Sequence, residues 1–401
     1  MTTHEFNEET ANQATGFSGF GGHRLADLPT AVSFAPGAEG TSPFESIGIE
    51  DAEQLVAIDA VPSAREYLRE VLQTGSYDIQ QLIDQAREAL PEDRRRLVTS
   101  PAPKEFGFGV LPPTPEMRAM AEQAQPIFAP DVPVALPASI NLIPHMPAIR
   151  NQQSRGTCVG FTLTALNEYI LRRRGISADL SEQHIYYEAK LVDGAPGGCG
   201  TWQLKAMNAL AARGQCREPI WPYNPNPPCN NHGTLPPAAR PSGLNYRLQT
   251  TVVSPRNVAV YKSHLAAQRP VTLSIPVYNS WYQSAETRRS GRITMRIGNE
   301  PTEGGHAVLL VGYQDHAASP GGGYFIVRNS WGVGWAYESP YGQGYGTIPY
   351  QYITNDAWEA LTAMLQGTTG RETDEQASPL GGGSTVTIEV NPNLKITITT
   401  S

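Results

Sequence analysis

Four helical patterns followed by four strand patterns occupy residues 140–360 and limit the fold more than any other feature of the chain. Segregation of helices and strands in this order is typical of α+β domains with an antiparallel sheet. A Pro-Gly-Gly-Gly run at 320–323 predicts a hairpin between the two central strands. The predicted helices are 158–174, 181–191, 201–213 and 256–268, and the predicted strands are 271–278, 306–313, 324–330 and 344–350.

Composition divides the chain into five segments. Residues 1–48 lack periodicity and are expected to be flexible. Short helices with start signals are predicted over 49–100, as a small unit that is either a prosegment or a docking module. The Pro-rich residues 101–139 are interpreted as an extended linker that lies along the dense domain at 140–365. The polar tail, 366–401, ends in a strand-like alternation that can add to a sheet edge.

The charge balance excludes several classes of protein. A net charge of −8 leaves no basic surface for nucleic acid, and no apolar run has the length of a membrane span. The N-terminus has neither a basic start nor an apolar core of the kind found in signal peptides. We therefore expect a cytoplasmic protein, with export by a specialised route as the alternative, and we expect no cofactor.

The four cysteines, Cys158, Cys199, Cys216 and Cys229, are too few to stabilise a chain of 401 residues by disulfides. Three of them, with His232, resemble a zinc site only loosely, because there is no Cys-x-x-Cys pair. We expect no metal. The pairing of the cysteines stays open, with Cys199–Cys216 and Cys216–Cys229 as the two alternatives.

Cys158 stands where a polar stretch, RNQQSRGT, meets a helical pattern. The partial positive charge at a helix N-terminus favours a thiolate. Cys158 is therefore either a nucleophile or a small apolar residue that fills space.

One of the eight histidines has a special setting. His306 follows Gly304 and Gly305, which permit close approach of another chain, and it begins an apolar strand. The predicted hairpin brings Asn329 toward the imidazole, where the amide can fix the tautomer, and Trp331 can cover that hydrogen bond. Each residue alone is more simply explained by packing or a turn, but the combination favours catalysis.

Taken in this order, the motifs resemble the papain family of cysteine peptidases over residues 140–355. The stretches RNQ…GTC, LSEQHIYYEAK, GQCREPIWPYN, GGHAVLLVGY and YFIVRNSWGVGW…GYGTIPY carry the resemblance. It implies a two-lobe α+β fold with an N-terminal helical extension. The helical lobe would carry Cys158, and an antiparallel sheet or barrel lobe would carry His306 and Asn329. The resemblance also implies that Gln152 contributes to the oxyanion hole.

Two positions depart from that family. Arg155 stands where the family usually has a cysteine, and Val159 where it usually has a tryptophan. The absent cysteine fits a cytosolic or bacterial-type member. The Glu-Arg-Phe-Asn pattern of the family's prosegment is not found in residues 49–100.

We therefore predict a cysteine peptidase, with an endopeptidase favoured over an aminopeptidase or a ligase, that acts on peptides or proteins. The catalytic residues would be Cys158, His306, Asn329 and Gln152. The residues expected around the substrate are Trp331, Gly304, Gly305, Tyr278 and Trp281. One alternative is a catalytically inactive papain-fold binding module that docks through the helical unit or the C-terminal strand. Another is a delivered or cargo peptidase addressed by its flanking segments.

Overall fold

The structure is a computed structural model that describes residues 25, 43–72, 76–123, 126, 135–228, 230–365, 385–391 and 394–399. The chain divides into two compact units, residues 1–367 and 368–401. None of the helices in the described ranges is long and apolar enough to cross a membrane.

Within the described residues of the first unit, five α-helices precede the dense domain. They are α1 Ala52–Asp59, α2 Ala64–Leu72, α3 Ser76–Ala89, α4 Glu92–Val98 and α5 Pro115–Gln123. Helix α1 begins where the Asp51 carboxylate accepts a hydrogen bond from the amide of Gln54 at 2.9 Å, as expected for an N-cap. Apolar residues of α1 to α4 belong to the same hydrophobic core as the sheet described below, so the predicted helical unit packs as part of this core.

Three helices form the lobe that carries Cys158. They are α6 Cys158–Arg172, α7 Glu182–Lys190 and α8 Gln203–Arg213. Helix α7 starts at Ser181, whose hydroxyl oxygen accepts from the amide of His184 at 3.0 Å. Gly160 lets α7 pack closely on α6, because a Cβ at this position would lie 3.1 Å from the carbonyl oxygen of Glu182.

An antiparallel sheet forms the second lobe. Its strands are β1 Ser139–Asn141, β2 Leu248–Val253, β3 Val271–Tyr278, β4 Thr302–Asp315, β5 Gly323–Arg328, β6 Tyr345–Pro349 and β7 Glu359–Leu365. The strand order is β2-β7-β3-β4-β5-β6, with β1 paired to β4. The described strands form an open sheet and not a closed barrel. Ile275 of β3 pairs with His306 of β4, and Leu309 of β4 pairs with Arg328 of β5, which confirms the predicted hairpin.

Five further helices connect these strands. They are α9 Ala239–Gly243, α10 Val258–Ala266, α11 Asn279–Tyr282, α12 Ala285–Ser290 and α13 Tyr350–Asp356. Helix α12 and the residues after it carry two buried arginines, Arg289 and Arg292. Arg292 lies 2.7 Å from the carboxylate of Asp51, and Arg289 lies 2.9 Å from that of Glu53. Buried ion pairs therefore link the N-terminal helices to the sheet lobe.

The C-terminal unit differs from its prediction. A single edge strand was expected, but two strands are present, β8 Thr385–Asn391 and β9 Leu394–Thr399. They pair antiparallel with each other, with Val386 opposite Ile398. The Asn-Pro-Asn sequence at 391–393 interrupts the alternation of β-branched and polar residues between the two strands.

Candidate active site

Cys158 is the first residue of α6 and is fully buried. Its sulfur accepts a hydrogen bond from the backbone amide of Ala307 at 3.4 Å. Ala307 follows His306 in β4, so the N-terminus of the helix meets the sheet at these two residues. The structure thus brings together the cysteine and the histidine that the sequence placed about 150 positions apart.

His306 is oriented by Asn329. The imidazole Nε2 lies 2.8 Å from Asn329 Oδ1, which also accepts from the backbone amide of Ser330 at 2.7 Å. An amide oxygen only accepts hydrogen bonds, so Nε2 carries the proton and Nδ1 keeps its lone pair. Nδ1 is buried and has no hydrogen-bond partner among the described residues. Nδ1 is therefore the basic nitrogen of the imidazole, and it remains available to accept the thiol proton.

Trp331 covers this pair. Its ring stacks on the imidazole of His306 with 4.5 Å between centroids, and only 1% of the residue is exposed. Trp281 lies on the tryptophan at 5.8 Å and donates from Nε1 to the hydroxyl of Tyr352. Trp331 keeps water from the hydrogen bond between His306 and Asn329, and Trp281 supports Trp331 by packing.

Gln152 is held in a defined orientation. Its Oε1 accepts from the hydroxyl of Ser330 at 2.6 Å, so the amide nitrogen must point the other way. That nitrogen donates to two backbone carbonyl oxygens, those of Arg155 and Gly107, each at 2.9 Å. One N–H of the side-chain amide therefore stabilises the loop that contains Gln152. The other donates to a carbonyl from a distant part of the chain.

The distant part is an extended segment, residues 104–111, which we call the strap. The ring of Phe106 stacks flat on Trp331, with centroids 4.8 Å apart and planes inclined by 3°. The amide of Val110 donates to the carbonyl oxygen of Gly305 at 3.0 Å, and that of Leu111 donates to Thr201 at 3.1 Å. The strap therefore passes over Cys158 and covers the space around it.

Glycines allow this close approach. A Cβ at Gly107 would lie 2.3 Å from the carbonyl oxygen of Ser154, and one at Gly109 would lie 2.5 Å from the backbone of Gly156. Across the strap, Gly304 faces the ring of Phe108 and Gly305 faces the carbonyl of Val110, both closer than a Cβ permits. The two glycines before His306 therefore make room for an extended chain, and their role beside a substrate stays a prediction.

Burial under the strap keeps both reacting groups neutral. It raises the pKa of the Cys158 thiol to about 12, and the amides of Ala307 and Gly109 offset only part of this shift. Burial also lowers the pKa of the His306 imidazole to about 4, against the opposing effect of the hydrogen bond that the imidazole donates to Asn329. The thiolate that the helix N-terminus favours at Cys158 is therefore disfavoured while the strap is in place, because desolvation outweighs the local hydrogen-bond donors.

A charged cluster lies behind the site. Arg150, the first residue of the RNQ motif, donates to Glu182 at 2.6 Å and to Glu168 at 2.8 Å, and it also pairs with Asp179. Burial raises the pKa of Glu182 to about 7, against the attraction of Arg150. The cluster ties the segment before Gln152 to α6 and α7.

Other predicted residues lie elsewhere. Tyr278 is buried against Tyr352, with the guanidinium of Arg296 5.3 Å from its ring, so its contacts are those of a packed residue. Among the cysteines, Cys199 is disulfide-bonded whereas Cys216 is a free buried thiol.

Both alternative pairings, Cys199–Cys216 and Cys216–Cys229, are therefore wrong, and Cys229 lies outside the described residues. In the part of the chain that the structure describes, no group of three His, Cys, Asp or Glu residues is arranged to hold a metal ion.

Sequence analysis missed the strap and Ser330 as parts of the site. The strap was assigned to a linker, although the alternation Phe-Gly-Phe-Gly at 106–109 indicates an extended chain whose backbone can be approached closely on one face. Ser330 was quoted within the motif around Asn329 but received no role. Its hydroxyl proves to be what fixes the amide of Gln152.

Comparison with known proteins gives a consistent result. The family profile described as papain family cysteine protease matches residues 137–349. Ananain from Ananas comosus is 29% identical over 192 residues, 47% of this chain and 49% of ananain. An uncharacterized peptidase C1-like protein of Acanthamoeba polyphaga mimivirus is 24% identical over 184 residues, 44% of this chain and 55% of that protein. The chain thus spans about half the length of the curated relatives it matches.

Among solved structures, xylellain, a cysteine protease from Xylella fastidiosa, superposes with a TM-score of 0.54 at 25% sequence identity. The match covers 65% of this chain and 97% of the xylellain chain. It confirms the papain-like α+β fold that the sequence predicts.

Proposed function

The chain belongs to the papain family of cysteine proteases, and from this membership we propose that it hydrolyses peptide bonds with Cys158 as nucleophile. The observation that carries the proposal is the meeting of three residues at one point. The sulfur of Cys158 lies against the amide of Ala307, and the neighbouring His306 is fixed by Asn329 at 2.8 Å. A nucleophile, a base and an orienting group are the parts that covalent catalysis of acyl transfer needs.

The chemistry follows from the tautomer. Nδ1 of His306 takes the thiol proton, and the thiolate attacks the carbonyl carbon of a peptide bond. The amides of Cys158 and of the Gln152 side chain receive the oxyanion. The imidazolium then protonates the leaving amine as the C–N bond breaks. Water, deprotonated by Nδ1, cleaves the thioester, releases the carboxylic acid and restores the thiol.

The path of the strap supports an endopeptidase. The strap continues past Cys158 on both sides, from Phe106 on Trp331 to Leu111 beside Thr201. A groove that holds an extended chain on both sides of the thiol accepts the middle of a polypeptide. An exopeptidase would need one side to be closed.

We further propose that the full chain is latent, with the strap as the blocking segment. Because His306 protonates the leaving amine, the C-terminal part of a substrate lies on the side of Trp331. The strap instead places its earlier residue Phe106 on Trp331, and its later residue Val110 next to Thr201. With this polarity the strap does not present a leaving nitrogen to His306, so it occupies the groove without being cut.

The likeness to a protease of Xylella fastidiosa supports a bacterial-type member of the family. Arg155, in place of the usual cysteine, agrees with that proposal.

The test is labelling of Cys158. The full-length chain, Cys158→Ala and His306→Ala are treated with a peptidyl epoxide, before and after limited proteolysis at the exposed residues of the Pro-rich segment. We expect an adduct on Cys158 after proteolysis, together with turnover of dye-labelled casein, and neither in the two variants. Turnover that persists in Cys158→Ala would refute the proposed nucleophile. A folded, nicked protein without an adduct would favour the binding-module alternative.

A further inference from the structure

Arg155 is a buried cation with neutral partners. Only 6% of the residue is exposed. Its Nη1 donates to Oε1 of Gln183 and to the carbonyl oxygen of Asn224, both at 2.6 Å. The guanidinium lies over the rings of Tyr186 and Tyr223, at 5.1 and 5.7 Å from their centroids. Within the described residues it forms no ion pair.

This arrangement is costly. Buried charges are usually paired with an opposite charge, because taking a cation out of water is unfavourable. Burial lowers the pKa of Arg155, and its Nη2 has no hydrogen-bond partner in the part of the chain that the structure describes. An apolar side chain of similar volume would fill the same space without this penalty. The role of the Arg155 guanidinium is therefore inferred from the groups that it connects.

Those groups surround the loop of residues 152–157, which begins with Gln152. The carbonyl oxygen of Arg155 accepts from Nε2 of Gln152 at 2.9 Å and from the amide of Thr157 at 2.8 Å. The hydroxyl of Tyr223 donates to the carbonyl of Gln152 at 2.9 Å and bonds the hydroxyl of Thr157 at 2.7 Å. The side chain of Arg155 thus fixes the position of its own carbonyl, and Tyr223, whose ring lies under the guanidinium, holds both ends of the loop, Gln152 and Thr157.

We propose that Arg155 is a positioning residue for the oxyanion hole, which clamps the loop of residues 152–157 onto α7 and Tyr223 so that Nε2 of Gln152 points at the substrate carbonyl. The inference rests on the proposed function, and it gives Arg155 no direct contact with substrate. Loss of the clamp leaves Cys158, His306 and Asn329 in place, since these residues are held by α6 and the sheet. The effect therefore falls on oxyanion stabilisation and not on the thiol.

The experiment separates these two effects. Arg155→Met and Arg155→Lys are made in the full-length chain that carries Gly109→Val to displace the strap. Turnover of dye-labelled casein at saturation depends on the oxyanion hole, whereas alkylation of Cys158 by iodoacetamide requires only the thiolate. We expect Arg155→Met to lower saturated turnover by about 10- to 100-fold, below the loss for deleting an oxyanion donor. We expect its alkylation rate to change less than about twofold. Arg155→Lys keeps the charge without the fork and should be intermediate.

A double-mutant cycle with Gln152→Ala tests whether Arg155 acts through Gln152. If Arg155 acts through Gln152, Arg155→Met causes no further loss once Gln152 is removed. Additive losses, or equal losses of turnover and alkylation, would overturn the proposal in favour of a general structural role. Arg289→Met is the matched control, a buried arginine distant from the loop, which should lower stability without separating the two rates.

Failure of the proposed function is distinguishable. If Cys158→Ala in the same background retains turnover, the proposed nucleophile fails irrespective of Arg155. Hydrogen exchange of residues 151–157 then tests the clamp directly. Faster exchange there in Arg155→Met, with that of β5 unchanged, supports the clamp, and unchanged exchange in the loop overturns it.

Discussion

The carbonyl oxygen of Gly107 lies 2.9 Å from Nε2 of Gln152. The donor assigned to the developing oxyanion is therefore already engaged by a neutral carbonyl of the same chain. The amide of Gly107 also donates to the carbonyl of Gln153 at 3.1 Å, so the strap is bound at this point by hydrogen bonds in both directions. Occupation of the proposed oxyanion donor, Nε2 of Gln152, and burial of the thiol are thus two consequences of one segment.

Displacing the strap should activate the enzyme. In Gly109→Val the new Cβ would meet the backbone of Gly156 at 2.5 Å, where no flexible side chain can move aside. We expect the strap to leave the groove, and the rate of Cys158 labelling and of casein turnover to rise by at least tenfold over the unmodified chain.

Gly197→Val is the matched control, because a Cβ at Gly197 has no atom within 4 Å. It should keep the latency of the parent chain. A Gly109→Val protein that is folded and still as slowly labelled as the parent would contradict the role of the strap.

Opening of the strap should depend on pH. Burial lowers the pKa of His306 from 6.5 to about 4, so the closed form binds fewer protons than the open form in this range. Closure therefore weakens as the pH falls from 6.5 toward 4. Burial raises the pKa of Cys158 from 9.0 to about 12, so closure also weakens above pH 9. The latent form should be most stable between pH 6.5 and 9.

Hydrogen exchange measures this opening without the intrinsic pH dependence of a thiol reagent. Amides of residues 105–111 should lose protection at pH 5 relative to pH 7.5, after normalisation to the amides of β5. In His306→Ala the acid limb should disappear. An acid limb that persists unchanged in this variant would show that groups other than His306 cause the effect.

Asn329 should affect the base and not the nucleophile. Asn329→Ala removes the oxygen that accepts the Nε2 proton of His306 and frees the ring to change tautomer. In the strap-displaced chain we expect kcat for casein to fall about 100-fold, within the range attributed to a positioned general base. The half-saturating casein concentration should change little.

Asn329→Asp is the informative companion. It keeps an acceptor but adds a negative charge, which favours the imidazolium. The pKa that governs the acid limb of the pH–rate profile should therefore rise, so this limb should move to higher pH. An unchanged profile in both variants would remove Asn329 from the proposed machinery.

The elements of the dense domain could be predicted because their patterns are strong. Strand β3 matches its predicted range 271–278, and α6 starts at Cys158 as expected. His306 and Asn329 could also be placed together, since the hairpin turn and the strand lengths fix how the far ends of the strands meet.

The strap and the clamp could not be predicted in this way. Their contacts join residues far apart in sequence, such as Gly107 with Gln152 and Arg155 with Asn224, and neither involves a periodic pattern. In the sequence, Arg155 is distinguished only because it stands where the family usually has a cysteine. The burial of Arg155 depends on Tyr186 and Tyr223, which come from separate segments. Only the folded structure therefore reveals that both tyrosine rings pack against its guanidinium.

Attachment of the N-terminal helices should depend on Arg292. Its guanidinium donates to Asp51 at 2.7 Å and to Glu286 at 2.6 Å, and all three residues are buried. Arg292→Met would leave two carboxylates in the interior without this cation. Breaking a buried ion pair on one side typically costs about 3–5 kcal/mol. We therefore expect a clear fall in the urea midpoint of the full-length chain. Arg96→Met provides the control, since Arg96 and Glu92 form an exposed pair at 3.7 Å on α4 and should contribute nothing measurable. Equal midpoints for the two variants would mean that apolar packing alone holds the helices in place.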